Sequence, residues 1–398
     1  MDESVSDPSR ADIAANYWGL VLTSIFATTI VAIPVFLVGS LAVFIAADLD
    51  FSVVELGGVA SVFFGSAAIA SIIGGRLTVR FGHKLGMYLG VSSTLVAVLG
   101  LGVAAETPLQ IAFLMVFGGI GNGLTQPSVN FLLARRIAPD RQGFAFGVKQ
   151  SAIPASTLFA GLSIPLLAAT FGWRSPFIVL VGLAALVIVL TPRRSTVMPG
   201  ALKARGSVEM RPGITLYILA LGGVLGAAAA NSLGAFLVLT LINGGVAVST
   251  AGVIAAVSSA SAVTVRLIIG KVADRFSFTN LYFVAGMQVL GGVAFMWLGF
   301  VSSVGALVFV AMVAFGIGWG WPGLLMFNVI RRFPTIPGRA SGVIQSSAFI
   351  GGIIGPFTFG VIVAAAGFTA ALVVAGLASV VAGTAVYSGE ALLRRKAP

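Results

Sequence analysis

The sequence of 398 residues contains no cysteine and one histidine, and only 9% of its residues are charged. The absence of cysteine excludes disulfides and thiolate chemistry. With a single histidine, the chain also lacks the His and Cys clusters that hold structural or catalytic metal ions. No nucleophile with a base partner is recognisable, so we predict that the protein is not an enzyme and binds neither a metal nor a cofactor.

Hydrophobic residues make up 58% of the chain, and a further 51 residues are glycine. A hydrocarbon core about 30 Å thick needs roughly 20 apolar residues per helix, and about twelve such runs are present, separated by short polar turns. The sequence therefore predicts an all-α membrane protein with twelve transmembrane helices. The first run is too long for a signal peptide, and cleavage is not expected. The runs lie near 17–46, 51–74, 84–104, 108–134, 143–170, 174–192, 213–242, 250–272, 280–301, 303–330, 340–366 and 368–388.

The net charge of +11 is distributed unevenly between the loops. Basic residues follow the even-numbered apolar runs. Asp48, Asp50, Glu55 and Glu106 lie in the opposite set of loops, which follow the odd-numbered runs. By the positive-inside rule, both termini and the central loop are predicted to be cytoplasmic. We therefore expect a multi-pass protein of a bacterial-type plasma (inner) membrane, in contact with lipid and not with nucleic acid.

The sequence repeats itself at a distance of 195 residues, since "GRLTVRF" begins at Gly75 and "GKVADRF" begins at Gly270. A fixed offset held over about a hundred residues indicates an internal duplication. We predict two six-helix halves, residues 1–192 and 213–398, joined by a polar cytoplasmic linker at 193–212. The same shift pairs Gly121 with Gly316, Pro127 with Pro322, Gln150 with Gln345, and Gly172 with Gly367.

The loop after the second run reads "GRLTVRFGHK", and its second copy carries the motif again in shorter form. This pair resembles the loop signature of the major facilitator superfamily, Gly-x-Leu-Ala-Asp-Arg-x-Gly-Arg-Lys/Arg, and parallel six-helix repeats are that family's architecture. The resemblance covers essentially the whole chain and implies a secondary transporter that works by alternating access. It assigns gating roles to Gly75, Arg80, Gly82, Gly270, Asp274 and Arg275.

The two copies of the motif differ at one functional position, where Val79 stands in place of the family's aspartate and Asp274 retains it. The resemblance implies that this carboxylate caps a helix N-terminus across the interface between the halves and holds the cytoplasmic side closed, since a helix dipole favours an acid there. An asymmetric gate is one hypothesis. The alternative is that neighbouring contacts replace the missing carboxylate.

Two basic residues, Lys149 and Arg266, lie within apolar runs, where an ionised side chain costs about 2.5–3.5 kcal/mol. Both lie roughly 8–9 Å from the cytoplasmic end of their run. In the family's fold the fifth and eighth segments face each other, so the resemblance implies one shared site. We predict that Arg266 binds a small organic anion as a fork and Lys149 as a point charge. The alternative is that both side chains reach the interface, or bond Asp274 and helix-end carbonyls.

Amide and aromatic side chains supply further candidates for the substrate site. Asn122, Gln126 and Asn130 are spaced i, i+4, i+8 and therefore share one helix face. They either line the cavity and bond substrate or bond neighbouring helices. The glycines and Pro322 of "GWGWPG" predict an irregular helix beside an aromatic wall. The remaining candidate substrate-binding residues are Gln150, Trp319, Trp321 and Gln345.

Two other functions are consistent with the same residues. One is an efflux antiporter for drugs or other hydrophobic compounds, although the fifth run, "SAIPASTLFAGLSIP", does not match the Gly-x-x-x-Gly-Pro-x-x-Gly-Gly pattern usual in the family's drug/proton antiporters. The other is a receptor or scaffold that binds a ligand without transporting it. A small-molecule substrate is expected for the anion transporter and for the efflux antiporter. A monomer is the default assembly.

Overall fold

A computed structural model describes residues 10–137, 141–190, 213–276 and 280–395, and every regular element in these ranges is a helix. The predicted linker at 193–212 lies outside the described residues, so the boundary between the two halves stays a prediction. A short π-helix spans Ile164–Ala168. The helices of the first half are α1 (Arg10–Leu49), α2 (Val53–Phe81), α3 (His83–Val103), α4 (Pro108–Arg136), α5 (Gln142–Gln150), α6 (Ala152–Ser163), α7 (Ala169–Phe171) and α8 (Ser175–Leu190).

The second half contains six helices, the last of which is much longer than the others. They are α9 (Ile214–Asn243), α10 (Val248–Phe276), α11 (Leu281–Leu298), α12 (Val304–Gly316), α13 (Pro322–Arg332) and α14 (Pro337–Arg395).

Nine stretches of the described residues are long and apolar enough to cross a membrane, and two shorter apolar helices lie at Ser175–Val189 and Val304–Gly316. The last of the nine, Gly338–Arg395, has 58 residues. At 1.5 Å per residue it is about 87 Å long, which exceeds two hydrocarbon cores of about 30 Å. It bends at Gly367, where the backbone leaves the helical conformation, so its two arms have the length of separate crossings.

The helix ends follow local sequence signals. Ser52 and Glu55 form a capping box at the start of α2, in which each side chain bonds the other residue's backbone N–H. At the start of α4, the hydroxyl of Thr107 accepts a hydrogen bond from the backbone of Gln110. Arginines occupy the last turns of α2, α4, α13 and α14, where a cation complements the helix dipole.

Glycines paired by the 195-residue shift adopt the same backbone conformation. Gly172 has φ 81° and ψ 163°, and Gly367 has φ 83° and ψ 172°. Both glycines end the fifth predicted run of their half and start the connection to the sixth. Gly82 repeats this conformation between α2 and α3, with φ 85° and ψ 167°. A positive φ of this kind is readily available only to glycine.

The halves pack against each other through α1 with α9, α2 with α14, and both α5 and α6 with α10. We call the side on which α1 begins and α14 ends the termini face, and the other side the opposite face. The closest approaches lie toward the opposite face, where a Cβ on Gly39 would collide with the carbonyl of Ala235. A Cβ on Gly161 would lie 2.6 Å from the carbonyl oxygen of Gly252. Small residues thus allow the two halves to close tightly there.

Two predicted runs are interrupted helices. The run at 143–170 breaks at Ser151, between α5 and α6, and again at the π-helix that contains Pro165. The run at 303–330 breaks between α12 and α13, at residues 317–321, as the glycines and Pro322 of "GWGWPG" predicted. Such breaks leave backbone carbonyls without helical partners, and in a membrane these need another donor.

Candidate functional site

A central cavity of about 90 Å³ lies between the two halves. Its walls come from α1, α2, α4, α5 and α6 of the first half and from α9, α13, α14 and the α12–α13 break of the second. A cavity at the interface of two repeats is where a transporter of this construction binds its substrate. The polar residues that line it are Asn122, Gln126, Gln150, Asn231, Gln345 and Ser347.

A second and larger cavity, of about 500 Å³, extends from the first toward the termini face. We call it the vestibule. It lies between Gly75 and Ala134 of the first half and Gly338 and Ser341 of the second. Gln126, Gln150 and Gln345 line both cavities. The molecule is therefore closed toward the opposite face and open toward the termini face.

Lys149 lies in the last turn of α5 and lines the vestibule, yet its side chain is only 3% exposed. Its Nζ donates a hydrogen bond to Oε1 of Gln126, at 2.5 Å. No described carboxylate pairs with Lys149. An ammonium has three N–H donors, and one neutral acceptor leaves most of its charge uncompensated.

Arg266 lies in α10 and is also 3% exposed, which rules out a side chain that reaches the membrane surface. Its guanidinium donates to the carbonyl oxygen of Trp319, from Nε at 3.2 Å and from Nη2 at 2.5 Å. Nη1 donates to the carbonyl oxygen of Gln150 in the other half. The predicted anion fork thus bonds two backbone carbonyls in this structure. The bond to Asp274 that the alternative also proposed lies outside the described residues.

Both carbonyls are available because of the local sequence. Gln150 precedes Pro154 by four residues, and proline has no N–H to donate to the carbonyl one helical turn earlier. Trp319 lies in the non-helical stretch between α12 and α13. Arg266 therefore satisfies one free carbonyl in each half, and it also lines a side pocket of about 240 Å³ next to the vestibule.

The polar stripe of α4 follows the path from the central cavity to the vestibule. Asn122 is 6% exposed and lines the central cavity, Gln126 lines both cavities, and Asn130 lines the vestibule. Among the described residues, the side-chain amides of Asn122, Gln150 and Gln345 have no hydrogen-bond partner. The stripe therefore faces the cavities, and three amides remain available to a ligand.

The two predicted tryptophans form part of the central cavity's wall. Trp319 and Trp321 are 3% and 2% exposed, and both line the cavity. The ring of Trp319 packs edge-on against Phe36 of the first half, with 5.5 Å between ring centroids, and against Phe315 at 5.4 Å. The guanidinium of Arg266 lies over the same ring, 5.9 Å from its centroid, so these contacts together hold the indole in one orientation.

The residues with predicted gating roles are spread over the ends of α2 and α10. Gly75 lines the vestibule, Gly82 adopts its positive φ at the α2–α3 turn, and Gly270 packs against Gly147 of α5. Arg80 is exposed and contacts the ring of Phe81. Side chains at 273–279, which include Asp274 and Arg275, lie outside the described residues, so their gating roles stay predictions.

Two buried polar residues were not singled out from the sequence. Asn231 of α9 is 8% exposed, lines the central cavity and donates to the carbonyl of Ala227. Glu390, near the end of α14, is completely buried and accepts hydrogen bonds from Arg332 at 2.5 Å and Arg394 at 2.9 Å. A single polar residue in an apolar run produces no periodic pattern, so neither residue stands out in the sequence.

A helical membrane protein with duplicated halves, and with cavities between them that open to one face, has the construction of a secondary transporter. The sequence profile of the Major Facilitator Superfamily matches residues 24–356. The chain therefore belongs to the major facilitator superfamily.

Relatives with different functions match the chain. It is 30% identical to the tetracenomycin C resistance and export protein of Streptomyces glaucescens over 40% of this chain and 31% of that protein. It is 32% identical to probable anion transporter 3, chloroplastic, of Arabidopsis thaliana over 36% of this chain and 28% of that protein. The chain thus spans about a third or less of these two relatives. A longer match is multidrug resistance protein MdtG of Citrobacter koseri, 26% identical over 85% of both chains.

A solved structure confirms the fold at full length. A bacterial homologue of the human lysosomal transporter Spinster, solved in an inward-facing and occupied conformation, superposes with a TM-score of 0.71. The superposition covers 94% of this chain and 97% of that one, at 16% sequence identity. At this identity the likeness concerns the fold and leaves the substrate to be argued from the site.

Proposed function

We propose that the protein moves a small organic anion, a carboxylate or sulfonate, by alternating access around the cavities between its halves. The observation that carries the proposal is Lys149, a buried cation beside the vestibule. The described polar partner of its ammonium is a neutral amide, that of Gln126. An ionised side chain in such a place is costly unless a counter-charge reaches it. A substrate anion that enters the vestibule supplies that counter-charge.

Arg266 has a supporting role in this proposal. Its fork is held by the carbonyls of Gln150 and Trp319, so it fixes the irregular backbone beside Lys149 and contributes positive potential to the same region. A substrate anion need not displace these bonds to gain from the nearby charge. The anion is therefore bound directly by Lys149, with the amides of Gln126 and Gln345 within the same cavity.

The proposed topology has twelve crossings, with both termini in the cytoplasm of a bacterial-type cell and the protein in its plasma (inner) membrane. Nine long apolar stretches, two shorter helices and the bend of α14 at Gly367 support this count. The arginines at the ends of α2, α4, α13 and α14 support the orientation. With this orientation the vestibule opens to the cytoplasm. We propose a monomer as the transporting unit.

The first test is uptake of a panel of labelled carboxylates and sulfonates into proteoliposomes, for the wild type and for Lys149→Gln. A charge-assisted hydrogen bond contributes roughly 1.5–3 kcal/mol, so we expect at least about a tenfold loss of uptake for the transported anion. Lys271→Gln is the matched control, because Lys271 is an exposed lysine on neighbouring α10 that lines neither cavity. Equal uptake by Lys149→Gln and the wild type would refute the proposal.

A second candidate function is export of hydrophobic compounds. The aromatic wall formed by Phe36, Trp319 and Trp321 favours it, as do relatives named for export and multidrug resistance. In that case Lys149→Gln keeps its activity toward apolar or cationic dyes, and no anion of the panel accumulates. The same vesicles, loaded with a fluorescent dye, distinguish the two functions. Binding of a panel compound without flux would indicate the receptor alternative.

A further inference from the structure

The side pocket of about 240 Å³ next to the vestibule has no role when Lys149 binds a very small anion. It lies between α5, α10, α13 and the α12–α13 break, and four residues line both the pocket and the vestibule. They are Phe146, Gln150, Met326 and Ile330. Lys149 lines the vestibule and precedes Gln150 in the chain. The two cavities are therefore contiguous, and a group attached to an anion at Lys149 can extend into the pocket.

The lining of the side pocket is mostly apolar. Six large side chains from α5, α10 and α13 form it, together with four glycines. An apolar group that displaces water from such a surface binds favourably, and each methylene that is fully buried strengthens binding about fourfold. The pocket therefore favours a hydrocarbon group over a polar one. The six side chains are those of Phe146, Ile269, Leu324, Met326, Phe327 and Ile330.

Two arginines also line the pocket, and both already contact other groups of the protein. Arg266 donates to the carbonyls of Gln150 and Trp319. Arg331 is exposed in the last turn of α13, where its guanidinium lies over the ring of Phe327, 4.6 Å from the centroid. A hydrocarbon group in the pocket leaves these contacts intact. The alternative is a second anionic group beside the arginines, and a disulfonate distinguishes the two.

The volume of the side pocket sets the size of the group that it takes. A dry cavity of roughly 150 Å³ holds benzene, which has six carbon atoms. At the same packing, about 240 Å³ holds a hydrocarbon group of about ten carbon atoms. The central cavity, with about 90 Å³, is too small for such a group. The side pocket is therefore the compartment that accommodates it.

We infer that the substrate is an amphiphilic anion, with its carboxylate or sulfonate at Lys149 in the vestibule. Its apolar group, of up to about ten carbon atoms, lies in the side pocket. This inference rests on the proposed function, since it names the class of anion that the same site takes. Gly323 determines specificity, because it lines the pocket and leaves room beside Gln150. A Cβ at Gly323 would lie 3.4 Å from Cγ of Gln150, which is an ordinary contact.

The test measures uptake of labelled alkanesulfonates into proteoliposomes, because sulfonates stay ionised and do not cross the bilayer as neutral acids. The panel contains methanesulfonate, butanesulfonate, octanesulfonate and octane-1,8-disulfonate, each below its micelle-forming concentration, and protein-free vesicles give the background. Octanesulfonate has four methylenes more than butanesulfonate, so we expect its KM to be at least about tenfold lower. The disulfonate is expected to be a poor substrate, because its second charge would lie in the apolar pocket.

Variants that narrow the pocket assign the preference to it. Gly323→Ala and Gly323→Val are expected to raise the KM of octanesulfonate in that order, by about threefold or more for valine, while the KM of methanesulfonate stays the same. Gly305→Val is the matched control, because Gly305 is also the second residue of its helix, α12, and lines none of the three cavities. Thermal unfolding shows which variants are folded, and the alanine variant decides if the valine variant is not.

The outcomes separate this inference from the proposed function. If methanesulfonate and octanesulfonate have equal KM values, and Lys149→Gln abolishes uptake of both, the inference is overturned and the anion proposal stands. A KM for the disulfonate below that of octanesulfonate would replace the apolar group by a second anionic group beside the arginines. If the octanesulfonate preference is unchanged in both folded Gly323 variants, the assignment to this pocket is overturned. If the folded wild type transports none of the four, the inference is overturned, and the carboxylates of the broader panel decide the anion proposal separately.

Discussion

At the scale of single residues, Arg266 shows how a buried cation becomes part of the backbone's hydrogen bonding. Its planar guanidinium reaches the carbonyls of Gln150 and Trp319 at once, one in each half of the molecule. Lysine carries the same charge but presents a compact ammonium on a flexible stem, which does not match two carbonyls in a fixed plane. The shape of the group is therefore as important here as its charge.

Arg266→Lys is accordingly expected to destabilise the protein. A buried carbonyl left without its donor costs about 1–3 kcal/mol, and the substitution leaves at least one such group. The midpoint of thermal unfolding in detergent should fall, and anion uptake should fall with it. Arg76→Lys is the control, because Arg76 is an exposed arginine of α2 that lines neither cavity. An unchanged unfolding midpoint for Arg266→Lys would contradict the structural role of the fork.

Replacement of Lys149, unlike that of Arg266, is not expected to destabilise the protein. Replacement of a buried, incompletely paired charge by an apolar group of similar size is often neutral or stabilising. Lys149→Met is therefore expected to keep or raise the midpoint of thermal unfolding while it abolishes anion uptake. Such a separation is typical of functional residues, which are retained at a cost in stability. A lower midpoint with uptake intact would instead make Lys149 a structural residue.

At the scale of helices, the turns that end the fifth run of each half depend on one backbone conformation. Gly172 and Gly367 share it, and a Cβ at either position would meet no atom within 4 Å. The requirement for glycine is therefore conformational and not a matter of space. The bend at Gly367 divides α14 into two arms of crossing length, and its loss would disturb the last two segments of the chain.

Gly172→Ala and Gly367→Ala are each expected to lower the free energy of unfolding by about 1–3 kcal/mol, the cost of a side chain in a disfavoured backbone region. Gly182→Ala is the matched control. That glycine lies inside α8 with open space around it, so alanine should stabilise the helix by up to about 1 kcal/mol. Thermal unfolding of the three variants measures the differences. Similar losses at both paired sites would support the duplication, and a loss at only one would contradict it.

Much of this helix pattern was predictable because apolar runs, prolines and glycines act locally. The equivalence of Gly172 and Gly367 followed from the 195-residue shift, and the break near Pro322 followed from its glycine-rich sequence. For Arg266 the prediction was a bound anion, and helix-end carbonyls were only part of the alternative. Their identity depends on which helices meet, and the one local signal was the position of Pro154 four residues after Gln150.

Less of the candidate site than of the helix pattern could be predicted from the sequence. Side chains on one face of α4 could be identified by spacing, and Asn122, Gln126 and Asn130 do line one continuous path. Asn231 had no such pattern, since it is a lone amide in an apolar helix, and its place in the cavity depends on tertiary packing. The division between the vestibule with Lys149 and the central cavity with its aromatic lining also arises only when the two halves face each other.

At the scale of the whole molecule, the two halves are in close contact toward the opposite face. Toward the termini face they separate at the vestibule, while α5 remains in contact with α10. Small residues make the closed side tight, and Thr157 of α6 hydrogen-bonds Ser259 of α10 across the interface, with 2.7 Å between their hydroxyl oxygens. Access from the opposite face requires these helices to part. The absence of cysteine from the chain makes this interface accessible to a direct test, since introduced thiols have no native competitors.

The double variant Thr157→Cys/Ser259→Cys is expected to form a disulfide that arrests transport. The hydroxyl oxygens are 2.7 Å apart, so sulfur atoms in their places need only small shifts to reach the bonding distance of about 2.05 Å. Oxidation of the reconstituted double variant should abolish flux, and reduction should restore it, because the disulfide holds α6 against α10 in the state open to the termini face. The single variants are the controls and should be insensitive to oxidation. Normal flux through a fully cross-linked protein would show that this interface does not open during transport.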